Sequence, residues 1–146
     1  MNEYPVAGHA YRVGKLDARA QFHVARRIMP VFADSAPMII SLVRAAKSGQ
    51  KPDIEDLIKN LTPLADALKN MTDEDADFVV NRCLSVVSRK MEIGSQGWGP
   101  VIAPNFALMY DDIAWPDLLQ LVWLALKDNV LNFLADGRFN LSGAAS

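Results

Sequence analysis

One cysteine and two histidines leave little room for metal or nucleophile chemistry. Zinc-site spacing cannot be built from Cys83, His9 and His23. A lone thiol cannot close an internal disulfide, which fits a reducing compartment. A Cys–His nucleophile would need Cys83 beside His9 or His23, yet Cys83 falls on the inner stripe of one helix and His23 on the polar side of another. Glycine-rich phosphate loops are missing too, because Gly94-Ser-Gln-Gly97 has neither the pattern nor the strand–helix setting. The acidic run Asp73, Glu74, Asp75, Asp77 lacks the spaced oxygens and central glycine of a calcium loop. Charge of one sign is absent: 15 Lys and Arg against 17 Asp and Glu leave a net −2, with no global field toward nucleic acid. No apolar run reaches the roughly 20 residues of a membrane span before a charge interrupts it. The first residues carry no basic stretch followed by an apolar core, so no secretion signal and a cytoplasmic home are expected. Together these absences predict no catalytic residues, no cofactor and no metal.

What is present is folded-protein material. Hydrophobic residues make up 51% of the chain and charged ones 22%, the balance of a protein with a real core. The most apolar stretch runs from Trp115 to Leu134 and reads as one helix, with Pro116 in its first turn and Gly137 as its stop. Leu119, Val122, Leu126, Val130, Phe133 and Leu134 form one face at helical spacing. The opposite face mixes Asp117, Gln120, Lys127 and Asp128 with Leu121, Leu124 and Leu131. A helix apolar on most sides is either packed all round or keeps one side for a partner. Leu121, Leu124 and Leu131 are therefore candidate partner-binding residues, and the same face is compatible with a homo-oligomer.

Glu3 to Val13 predicts a β-hairpin turning at Ala7-Gly8-His9, with its tyrosines as packing surface. Asp17 should cap a helix whose stripe is Ala18, Phe22, Ala25, Met29 and Phe32, broadened by Val24, Ile28 and Val31. Pro30 should kink or end that ladder near its last turn. Arg19, His23, Arg26 and Arg27 take the other side as a positive ridge, either a solvated face with ion pairs or a docking ridge for an acidic partner segment. Further helices are expected at 38–47, with Gly49 as stop, and at 54–61 behind Asp53; Thr62 with Pro63 either caps a new helix or bends this one, with Leu64, Ala65, Leu68 and Met71 facing inward. Thr72 caps a helix expected to reach about Met91, with Ala76, Val80, Cys83, Leu84 and Val87 inside. A loop follows. Val101-Ile102 against Ala107-Leu108 suggests a second small hairpin, and Trp98 should pack on the helices. The architecture expected is mainly α (α+β): residues 1–137 form a single helical domain of five to six helices with one or two small β-hairpins, and residues 138–146 are a frayed tail.

Several marks, taken in order, resemble a family of bacteriophage tail assembly chaperones. They are the opening hairpin, Gly14-Lys-Leu-Asp17, the run from Gln21 to Arg27, the Thr72-Asp-Glu-Asp-Ala-Asp-Phe turn, the run from Cys83 to Arg89, Trp98-Gly-Pro-Val101, the run from Leu108 to Ile113, and Asp128-Asn129 with Phe133. The likeness spreads over residues 3 to 134. It implies a non-enzymatic helper in the host cytoplasm that binds the tape measure protein, helps tail tube protein assemble along it, and leaves before the virion is complete. No active-site residue comes with the resemblance. Two other readings compete. A small nucleic-acid-binding regulatory protein of phage or prophage origin would use Arg19, Arg26 and Arg27, against the net charge. A small-molecule site or hydrolase would lie beneath Trp98 and Asp111-Asp112.

Overall fold

The computed structural model describes residues 2–32, 62, 64–91 and 97–135. The helices expected at 38–47 and 54–61, their stops and caps, Gly137 and the tail 138–146 lie outside the described residues. Strands β1 (Asn2–Val6) and β2 (His9–Val13) form the expected hairpin, with Tyr4 opposite Tyr11. Their two-residue turn has positive φ at both Ala7 and Gly8, 51° and 82°, the hand that suits the twist of paired strands. Asp17 then caps α1 (Ala18–Phe32), its carboxylate accepting the Ala20 N–H at 2.7 Å.

Thr72 caps α2 (Asp73–Leu84) by accepting the Asp75 N–H at 3.1 Å. Before it, the helical stretch 64–69 buries Leu64 and Ala67, while Ala65 is exposed. Helix α2 stops at Leu84, well short of Met91. Val87–Lys90 instead forms β3, antiparallel to β2, and Trp98–Pro100 forms β4 against β3. The result is a four-stranded antiparallel sheet in the order β1-β2-β3-β4.

That sheet corrects the expected fold class. Among the described residues the fold is α+β, with helices α1 to α4 and a four-stranded antiparallel sheet, and not a mainly helical domain with small hairpins. The reason lies in Val86-Val87-Ser-Arg89. Branched side chains favour extended backbone, and the hairpin's second strand offers a ladder that a helix cannot use. Pro100 lacks an N–H, which an edge strand such as β4 tolerates. The second expected hairpin shrinks to one bridge, Ile102 with Leu108, closing a tight turn in which Phe106 takes φ 68°.

The long helix starts where expected. Helix α3 (Trp115–Leu126) has Pro116 in its first turn, and the Asp117 carboxylate accepts the Ala114 N–H at 3.1 Å, since Ala114 has no side-chain acceptor of its own. It runs on through a π-helical turn (Lys127–Leu131) into α4 (Asn132–Ala135). Helix α3 packs against α2 on one side and β1 on another, and the π turn packs against α1. Val6, Tyr11, Val13, Val87 and Val101 carry the sheet into this core with Val24, Ile28, Val79, Cys83 and Leu126. Among the described residues, Trp98 does not pack on the helices as expected. It stands on the opposite sheet face, with the Arg12 guanidinium 4.1 Å from its ring and Glu3 3.2 Å from Arg12.

Candidate functional site

Helix α1 turns a different stripe inward from the one its apolar residues suggest. Val24 and Ile28 are fully buried, while Phe22 is 61% and Met29 43% exposed. Arg19, Phe22, Arg26 and Met29 therefore alternate along the outward side. Beside them, α1 and α2 enclose an open depression of about 400 Å³ lined by Arg19, His23, Arg26, Arg27, Phe78 and Arg82, with Asp17 and Ala20 at its end.

The depression is held rigidly on one wall. Arg27 lies 3.9 Å over the Phe78 ring, donates to the Asp75 carboxylate at 3.1 Å and to the His23 carbonyl at 2.9 Å. Its charge is thus met by Asp75. Arg26 donates to Nδ1 of His23 at 3.1 Å. The His23 ring meets Phe78 edge-on at 6.5 Å, and the Arg82 guanidinium lies 5.4 Å from the centre of the Phe78 ring. Among the described residues, no carboxylate pairs with Arg19, Arg26 or Arg82. Among the described residues the site is a basic, partly aromatic surface with three guanidinium groups that no carboxylate pairs.

The sequence-predicted residues Arg19, His23, Arg26 and Arg27 do come together here. Phe78 and Arg82 complete the site and were missed by sequence reasoning. Their four-residue spacing puts them on one face of α2, which was the available signal. The other predicted partner residues do not form a surface. Leu121 and Leu131 are fully buried and Leu124 partly so, with α2 packed on one side of α3 and β1 on another.

The remaining polar clusters are structural. Arg89, buried in the sheet, makes a two-pronged bond to Asp112 at 2.6 and 2.9 Å, lies 3.1 Å from His9 and stacks 4.4 Å from the Tyr110 ring. The hydrogen bond from Arg89 holds the Asp112 carboxyl below its usual range. A Cβ on Gly99 would come within 2.6 Å of the Tyr110 hydroxyl, so the bare backbone there makes room for this stack. Asp112 and Trp98 serve opposite faces of the sheet, and the pieces of a hydrolase site beneath Trp98 do not converge. At the other edge, Tyr4 donates to Asp128 at 2.8 Å and receives Lys127 at 3.1 Å. Burial, then Asp128, holds the proton on Tyr4, while burial pulls Lys127 down against the pull of Asp128. Burial likewise pushes the Cys83 thiol up, the opposite of what a nucleophile needs. Among the described residues, no group of three His, Cys, Asp or Glu is placed to hold a metal, and no helix is long and apolar enough to cross a membrane.

The family model for the phage tail assembly chaperone protein, TAC, matches residues 7–140. The chain belongs to the phage tail assembly chaperones. No curated protein and no solved structure matches it. The match runs from the hairpin turn to beyond α4, so the basic depression lies within the chaperone's family domain and is not an appendage to it. A chaperone acts by offering surface to another chain, and the described surface of this one combines exposed apolar side chains with unpaired cations.

Proposed function

We propose that this chaperone binds a helical segment of the tape measure protein on the outward face of α1 and so keeps that long chain soluble while tail tube subunits assemble along it. It does so without catalysis, in the host cytoplasm, and is absent from the finished virion. The observation that carries this reading is the exposure of Phe22 and Met29 beside Arg19 and Arg26, which no described carboxylate pairs, on a helix whose other side is locked into the core. A helix laid on an amphipathic surface is a common recognition mode. Fully burying one large apolar side chain contributes about 1.5–3 kcal/mol. Phe22 and Met29 are already partly covered, so the gain from both is on the order of 3 kcal/mol, which suits a partner that must later be released.

Co-expression tests it. The tape measure protein should move into the soluble fraction when this chain is present and should co-purify with it. Unchanged solubility with no co-purification would overturn the proposal.

A further inference from the structure

We infer that the outward face of α1 is built for an acidic amphipathic helix, lying alongside α1 with carboxylates toward Arg19, Arg26 and Arg82 and apolar side chains toward Phe22 and Met29. This rests on the reading of that face as the chaperone's docking surface, and adds the chemistry of the guest.

The spacing comes first. Arg19 and Arg26 are one heptad apart, and so are Phe22 and Met29, in the alternation 3-4-3 that runs along one side of a helix. The strip spans about 15 Å, which three turns of a guest helix would cover. Charge comes second. Arg27 is satisfied by Asp75, while Arg19, Arg26 and Arg82 line one depression with Phe78, and the carboxylate that also lines it, Asp17, is engaged as the α1 cap by the Ala20 N–H. A guest with acids on one edge and apolar residues on the next supplies both partners at once. Nucleic acid is the poorer guest. The helix that forms the second wall, α2, begins with Asp73, Glu74 and Asp75, and a phosphate backbone tracking across both helices would meet those acids, whereas a short helix along α1 need not.

The test uses the full chain and synthetic helical peptides about three heptads long, with Leu and Glu in 3-4 alternation or with Lys replacing every Glu. Fluorescence anisotropy should show that the Glu peptide binds, that binding weakens with salt, and that it falls about tenfold or more in Arg19→Glu/Arg26→Glu, where two attractive pairs become repulsive. The Lys peptide should bind the reversed variant better than the wild type. Both arginines are solvent-exposed, and circular dichroism of the variant should match the wild type. Phe22→Ser/Met29→Ser should weaken the Glu peptide while leaving its salt dependence in place. Equal binding of Glu and Lys peptides would overturn the inference. So would a DNA duplex that binds more tightly through the same arginines, or a homodimer that the peptide displaces from this face. The tape measure co-expression separates the two levels. If Arg19→Glu/Arg26→Glu solubilises that protein as well as the wild type does, the acidic-guest inference fails and the chaperone reading stands. If even the wild type fails there while the peptides behave as stated, the choice of the tape measure protein fails and the docking chemistry stands.

Discussion

Arg89 gives up water for three neighbours, and the exchange has a pH signature. Only 7% of the residue is exposed, and a lone buried guanidinium would be costly without the two-pronged bond to Asp112. The Asp112 carboxyl is held low chiefly by that bond, against the opposing effect of its own desolvation. A depressed carboxyl pKa contributes stability that is complete above the unfolded value of about 3.9 and is lost as pH falls through the folded value. Urea midpoints should therefore drop as pH falls below about 4 in the wild type. Asp112→Asn should be less stable throughout the neutral range but show a shallower fall on the acid side. Parallel pH profiles for the two proteins would show that the pair carries no such linkage.

At the scale of elements, the π turn joins the long helix to the rest of the chain. Its buried Asn129 accepts the Leu16 N–H at 2.7 Å and donates to the Gly14 carbonyl at 3.1 Å and the Ala125 carbonyl at 3.0 Å. One side chain thus ties the link between β2 and α1 to the helix, while Asp128 next to it ties down Tyr4 and Asn2 of β1. Asn129→Ala would leave the Leu16 N–H buried without an acceptor, and should cost about 2–3 kcal/mol in urea unfolding with the m-value unchanged. A loss below about 0.5 kcal/mol would mean that the turn is held by something else. Nothing in the Lys-Asp-Asn-Val-Leu pattern announces a π turn, because the extra residue per turn serves contacts far away in sequence. The hairpin was legible, since Ala7-Gly8 carries its own turn geometry. Strands β3 and β4 were not. The inner stripe of α2, read forward to Val87, continues into a segment whose extended form depends on β2, and Trp98-Gly-Pro100 looks like a loop until an edge of the sheet is there to receive it.

For the whole molecule, the sheet decides which apolar surface is spare. Leu121 and Leu131 looked available on the final helix because one packed side seemed enough, but α2, β1 and, at the π turn, α1 all pack on that helix. Helix α1 has more apolar residues than its burial can use. Val24 and Ile28 took the core, Phe22 and Met29 were left outside, and the sequence stripe could not rank them because all four lie within a broad apolar arc. The charged half of the site was readable from α1 alone. Its second wall, Phe78 and Arg82, was not, because it depends on α2 lying alongside α1.

The central claim is that this chaperone works through the α1 and α2 surface and not through a cleft or the open face of its sheet. Hydrogen–deuterium exchange on the co-purified complex with the tape measure protein measures that directly. Slowed exchange should be confined to α1 and the neighbouring turns of α2, with the segments around Arg12 and Trp98 unchanged. Slowed exchange centred on β2 to β4, with α1 unaffected, would contradict the account.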